Sequence, residues 1–297
     1  MFTQYAGLFL TSFFLGAVAR GLMLNIDYRQ FPSYPHSYII HLTMGMIAAI
    51  LGAITIPVLV EKEFIAITFL TLAAQHFRDV RNLERKSLKE MEETELIPKG
   101  NAYIEGIAKV FEARNYLAFL TSLITAIIYY LLNWYLSLIL GITTAYLLHQ
   151  LMKGPVISDI ATVKIVPLTV KNFNIGVDNL IMMNVGEKES LEKWQEEGVG
   201  IQIIPGDENA RTTLANLGQR QAIIHDLTIL MGIKLDEGMQ QYTPLARIKL
   251  DKGILNIIVI PQEPDKKYIK QAIQKIPVLE SAQRKPLKSK TGRKAAD

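Results

Sequence analysis

Residues 116–151 read YLAFLTSLITAIIYYLLNWYLSLILGITTAYLLHQL, a run without Asp, Glu, Lys or Arg. As one α-helix it would be roughly 54 Å long at 1.5 Å per residue, against a hydrocarbon core of about 30 Å. That is too long for one crossing, and Asn133 beside Trp134 is the natural break. The run reads as a membrane hairpin, two spans joined by a very tight turn.

Working outward, earlier segments repeat the signal. Residues 5–24 are long enough to span. Arg20 lies among them, either snorkelling from the last turn to the interface or buried against a partner. Ala17-Val18-Ala19 resembles a signal-peptidase site. Nothing basic precedes the apolar core, however, and apolar character resumes at Leu22, so the segment reads as an uncleaved anchor. A loop of Phe31-Pro32-Ser33-Tyr34-Pro35-His36 comes next, its tyrosines suited to the headgroup layer. The second span is 38–60, with His41 near its interfacial start. Gly45, Ala49 and Ala53 recur there at every fourth residue, beside a parallel row of Ala48 and Gly52. Small residues at that spacing admit a second helix closely, within the chain or from another copy in a homo-oligomer.

Residues 64–74 are short for a span and either cross the membrane or lie in its surface, so four or five spans are expected. The apolar positions Phe77, Val80, Leu83, Leu88 and Met91 then continue among charges as an amphipathic helix, ending before Pro98-Lys99-Gly100. Lys and Arg set the orientation: residues 61–115 hold nine, the loop 26–37 only Arg29, and the turn at Asn133 none. Residues 77–115 and everything beyond Lys153 are therefore expected in the cytosol.

Charge divides the chain as hydropathy does. Of 32 Lys/Arg and 28 Asp/Glu, residues 1–151 hold 11 of each, so the net +4 belongs to the rest. Arg284, Lys285, Lys288, Lys290, Arg293 and Lys294 fall within residues 284–294, which hold no acid. Six cations near a membrane suit anionic lipid headgroups, and a disordered solubilising end explains them equally. Nucleic-acid binding ranks last, because no aromatic residues interleave with them. The chain has no cysteine, which excludes disulfides and thiolate chemistry.

Before the hairpin stands Tyr103-Ile104-Glu105-Gly106-Ile107-Ala108-Lys109-Val110-Phe111-Glu112-Ala113-Arg114-Asn115. On a helix Glu105, Lys109 and Glu112 share one stripe, and Ile104, Ile107, Ala108 and Phe111 the opposite one. The letters YIEGIA at 103–108 are the string that names the YIEGIA family, and the chain resembles its members over nearly its full length. The likeness covers the early spans, QHFRDVRNLER at 75–85, the motif, the hairpin and the domain beyond. It implies a membrane protein of spore-forming Firmicutes, without established catalysis, acting in sporulation with a small companion described as a capping-complex subunit. The family's motif residues then fall on Tyr103, Glu105, Gly106, Lys109, Glu112 and Arg114, which become partner-binding candidates.

From about Val156 the pattern changes. Residues 180–185 read as a buried strand closed by Gly186, 190–197 as a short helix and 199–204 as a strand ended by Pro205-Gly206. Asp207 caps a long helix to about Leu230, open to interruption at Gly218. Residues 245–250 and 254–260 form a hairpin around Asp251-Lys252-Gly253, and 265–274 a last helix. The expected fold is thus an α-helical transmembrane bundle of four or five spans followed by a small mixed α/β cytosolic domain. The expected domains are 1–152, with cytosolic amphipathic helices at about 77–115, then 153–280, then a disordered basic tail at 281–297.

No phosphate-binding G-x-x-x-x-G-K-[ST] loop, H-E-x-x-H or G-x-S-x-G is present, so neither a catalytic residue nor a cofactor is assigned. Asp207 and Glu208 at their helix start oppose an anion there. His36, His41, His76, His149 and His225 never pair at metal-ligand spacing, so no metal is assigned either. The densest polar cluster is Asn216, Gln219, Arg220, Gln221, His225 and Asp226, a ligand or partner candidate in which His225 beside acids could serve as a base. Three functions are ranked. A non-catalytic membrane scaffold or regulatory protein that recruits a small cytosolic partner comes first. Second is a membrane-anchored enzyme or ligand sensor with its site between the juxtamembrane helices and the α/β domain, using His225 or Glu105. A transporter or channel comes last, since few ionisable groups lie deep in the spans and no broken-helix pair marks a midplane site.

Overall fold

Among the described residues five long helices fill the first half of the chain: α1 (Phe2–Gln30), α2 (Pro35–Val60), α3 (Phe64–Glu92), α4 (Asn101–Leu131) and α5 (Trp134–Leu151). The structure, a computed structural model, describes residues 2–30, 35–61, 64–93, 95, 97–152, 154–232, 235, 236, 239, 240 and 242–296. The loop residues 31–34 and the side chains of His36, His76 and His149 lie outside that description. Two compact units partition the chain, Met1–Ser87 with Ile107–Gly154 and Leu88–Gly106 with Pro155–Asp297. The division differs from a simple cut at residue 152, because 88–106 belongs with the C-terminal half. It falls inside the YIEGIA string, between Gly106 and Ile107.

In the first unit small residues let helices touch. A Cβ on Gly16 would come within 2.8 Å of Ala49 Cβ, and one on Gly52 within 2.5 Å of the Phe119 carbonyl oxygen. Ser122 Oγ donates to the Ala49 carbonyl at 2.7 Å. Arg20 methylenes lie against Gly45. Gly45 and Ala49 are thus met from within the chain, by α1 and α4, and Ala53 is buried. Asn133 separates α4 from α5 by capping the latter, its side chain accepting the Leu136 N–H at 3.0 Å.

A bundle of four or five spans is overturned. Among the described residues two helical stretches are long and apolar enough to cross a membrane, Gln4–Leu24 and Tyr38–Val60. The reasons are compositional. Residues 64–74 run without a break into the charged part of α3, making one amphipathic helix. The apolar stretch of α4 is diluted by Arg114, Asn115, Thr121, Ser122 and Thr125, all buried. The apolar part of α5, Trp134–Leu148, is roughly 22 Å long at helical rise, short of the hydrocarbon thickness.

The second unit is built on antiparallel sheets. After a single turn, α6 (Ile157–Ile160), come β1 (Ala161–Val166), β2 (Thr169–Lys171), β3 (Asn174–Val177), β4 (Leu180–Asn184), α7 (Lys188–Glu197) and β5 (Val199–Pro205). Next are α8 (Glu208–Leu214), α9 (Leu217–Met231), the short β6 (Leu235–Asp236) and β7 (Met239–Gln240), β8 (Leu245–Lys249), β9 (Ile254–Val259) and α10 (Lys266–Lys275). The main sheet has the order β1-β5-β9-β8, and a meander β2-β3-β4 forms a second. Every described ladder is antiparallel, so the unit is α+β rather than mixed α/β.

Alternation along the strands sorts two cores. Ile201, Ile203, Leu255, Ile257 and Val259 pack with Leu214, Ile223 and Leu227 and with Ile269 and Ile273 of α10. Ile258, on the opposite face of β9, packs with Ile175, Val177, Met182 and Trp194. Central β9 is accordingly buried along its whole length. The two-residue turns of the meander, Asn172-Phe173 and Asp178-Asn179, have positive φ at both positions, as type I′ hairpins require. The tail expected to be disordered carries a 3-10 turn (Pro286–Lys288) and α11 (Lys290–Ala296). Its entry is held where Asn209 Oδ1 accepts the Leu287 N–H at 3.1 Å.

Candidate functional site

Two groups of residues singled out in the sequence, the start of the YIEGIA segment and the polar face of α9, meet in the second unit. The first turn of any helix leaves backbone N–H groups without partners. In α4 they are met by remote side chains. Gln221 Oε1 accepts the N–H of both Ala102 and Tyr103 at 3.0 Å, and a Glu92 oxygen accepts that of Gly100. Gly100 has φ +86°, and a Cβ there would come within 2.5 Å of Gln221 Nε2, so glycine is what lets the side chain dock. Gly218 opens the same approach from α9, since a Cβ on it would come within 2.8 Å of the Ala102 carbonyl oxygen.

Gln219, fully buried, ties in the segment before the tail: its Nε2 donates to the Pro277 carbonyl at 3.2 Å and its Oε1 accepts the Leu279 N–H at 2.7 Å. Gly106 faces that segment, where a Cβ would come within 2.7 Å of Ser281 Oγ. Asn216 caps α9 by accepting the Gln219 N–H, which explains why the helix breaks at Ala215-Asn216 rather than at Gly218.

At the centre the Tyr103 ring meets the His225 ring edge to face, 5.8 Å between centroids. His225 Nδ1 lies 3.2 Å from Asp226 Oδ1. Burial pushes the Tyr103 phenol well above its ordinary range, and the Asp226 and Glu95 carboxylates push it further. A histidine oriented by a carboxylate is the arrangement a general base needs. Here, however, His225 is 2% exposed and Tyr103 0%, so no substrate reaches the ring in this conformation. The cluster can lock a helix start onto α9; it cannot act on a solute as it stands.

The remaining motif residues lie in the first unit, apart from Glu105. Arg114 Nε donates to Asp27 Oδ1 and Arg20 Nη1 to Asp27 Oδ2, both at 2.9 Å and all three residues buried. Arg20 therefore takes the buried, paired reading rather than snorkelling. Its guanidinium also lies 5.6 Å from the centre of the Phe111 ring. Against that same ring, at 3.7 Å, lies His41, whose Nε2 is 3.3 Å from Glu84 Oε2. Glu112 sits 3.6 Å from Arg81. Lys109 is exposed and Glu105 half-buried. Asp27 was absent from the sequence candidates, although Arg20 and Asp27 are seven apart, two turns on one helix face, and that spacing could have paired them. Among the described residues no cluster of His, Asp and Glu has the makings of a metal site.

Comparison with known proteins places relatives beside this geometry. A family model described as YIEGIA protein matches residues 8–289. The Bacillus subtilis (strain 168) protein described as "Uncharacterized protein YphB" is 42% identical over 271 residues, 91% of this chain and 91% of that one. No solved structure matches the chain.

Proposed function

The chain belongs to the YIEGIA family, and on that premise we propose that it is a membrane-anchored scaffold or regulatory protein of sporulation whose second unit recruits a small cytosolic partner. Anchoring through α1 and α2 is supported by large apolar side chains left exposed along them, among them Leu10, Phe14, Leu22, Ile39 and Met46. These have no use for water and suit lipid. The nine Lys/Arg of residues 61–115 favour the cytosol for the chain beyond α2.

One observation carries the recruiting role. In the motif Tyr103 packs against α9 and Gly106 against Ser281, and Ile104 is fully buried, whereas Glu105 keeps part of its surface. A helix start fixed from behind and polar in front presents a preorganised surface, and preorganisation reduces the ordering cost of binding. Tagged chain recovered from detergent-solubilised membranes of the native host should bring down a small protein stoichiometrically during sporulation. Glu105→Gln should lower that recovery without lowering the amount of folded chain. Recovery of the chain alone, in sporulation and in growth, would contradict the proposal. A second reading, ligand sensing, is favoured by an arginine-lined cavity elsewhere in the same unit.

A further inference from the structure

Between α8, the start of α9 and the β8–β9 hairpin lies a solvent-open cavity of about 690 Å³. Arg211, Arg220 and Arg247 all line it, and among the described residues Glu208 is the one acid in its wall. Glu208 is already engaged, by Arg211 Nη1 at 3.0 Å, while Arg211 Nη2 donates to the Leu250 carbonyl at 2.9 Å. That posture is built into the hairpin. Gly253 has φ +64°, and a Cβ there would come within 2.4 Å of Arg211 Cγ, so the arginine stem crosses the turn where only glycine leaves room. Arg247 donates to the Ile181 carbonyl at 3.2 Å and brings no acid with it. Arg220 is the least satisfied: its Nε is shielded from solvent with no hydrogen-bond acceptor among the described residues.

Three guanidinium groups around one concavity, against a single carboxylate among the described residues, leave positive charge that repels itself until an anion enters. Neither Arg220 nor Arg247 has a carboxylate partner among the described residues, so the wall they share is where that anion belongs. We infer that this cavity binds a phosphate-bearing small molecule. Planar forks arranged around one site match the several oxygens of a phosphate better than a lone carboxylate, which one fork satisfies. The volume falls within the usual range of about 300–1,000 Å³ for small-ligand sites and is far larger than one phosphate needs. The ligand therefore carries its phosphate on a larger body. The inference stands apart from partner recruitment and survives the failure of that reading.

Titration calorimetry on the full chain in neutral detergent at low salt, with inorganic phosphate, pyrophosphate and ATP, tests it. Saturable one-to-one binding of pyrophosphate or ATP is expected, weakened about tenfold or more by Arg220→Gln. The variant's unfolding temperature without ligand should match the parent. Arg247→Gln is the second variant, should the first not fold. Reconstitution into nanodiscs of phosphatidylglycerol or of phosphatidylcholine identifies the source. Loss of pyrophosphate binding in the former alone assigns the site to a lipid headgroup, and equal binding in both assigns it to a soluble phosphate compound; either upholds the phosphate site. No binding of any of the three probes at millimolar concentration would overturn the inference. So would equal binding by both arginine variants, or binding of polyglutamate peptide without any phosphate compound.

Discussion

The amide oxygen of Gln221 serves two backbone N–H groups more than a hundred residues away in sequence, and its loss should be felt there first. Gln221→Ala is expected to cost about 1–2 kcal/mol, the usual range for a helix start losing its cap. Native-state hydrogen exchange should show the amides of Ala102 and Tyr103 losing protection. Gly100→Ala should cost about 1 kcal/mol from its positive φ, plus the displacement of Gln221. The two changes disturb the same contact, so the double variant should cost less than the sum of the singles. Additivity would mean that Gly100 does not act through the docked Gln221 side chain. Tyr103 gives a pH signature. Its phenol titrates higher folded than unfolded, so its contribution is intact below about pH 10 and is lost as pH rises toward the folded value. The unfolding temperature should therefore fall more steeply above pH 10 in the parent than in Tyr103→Phe; parallel curves would contradict this. Gln221, His225 and Tyr103 were each visible in the sequence as polar or motif positions. Their meeting was not, because the contact joins segments with no shared local pattern.

Elements were legible where local chemistry decides them. Asn133, Asp207 and Asp265 each carry a cap visible as a polar residue before a helix. The β8–β9 hairpin is encoded by Asp251-Lys252-Gly253 between apolar runs. Of the meander only β4 was legible, as 180–185; β2 and β3 were missed because their turns use Asn172-Phe173 and Asp178-Asn179, and Phe in a left-handed turn position is a signal no propensity rule would choose. Phe173 is 48% exposed at φ +63°, so it carries backbone strain with little burial to offset it. Phe173→Gly should stabilise the chain by about 1 kcal/mol, seen as slower amide exchange across β3 and β4. Faster exchange would mean that the ring contributes more than its exposure suggests. The helix expected from Asp207 to Leu230 is two helices, because the Asn216 side chain accepts a fresh cap hydrogen bond and restarts the helix.

At the scale of the molecule, apolar length was read too generously. Residues 116–151 have the composition of a membrane hairpin, but what decides a span is an uninterrupted apolar window. Arg114 with Asn115 at one end and Thr121, Ser122 and Thr125 along α4 spoil it. Ser122 is satisfied on Ala49 and Arg114 on Asp27, both inside the first unit, so residues that disqualify α4 as a span help hold the unit together. The assignment of 88–106 to the second unit was equally hidden, because it depends on the remote Gln221 and Ser281 contacts. The central claim, a chain anchored by α1 and α2 that carries its second unit in the cytosol, has a direct test because the protein contains no cysteine. Leu250 is 82% exposed in the second unit, so Leu250→Cys supplies one accessible thiol without disturbing a core. Intact protoplasts treated with a membrane-impermeant maleimide should leave this thiol unlabelled, with labelling only after permeabilisation and the chain retained in carbonate-washed membranes. Labelling of intact cells, or release of the chain by carbonate, would contradict the account.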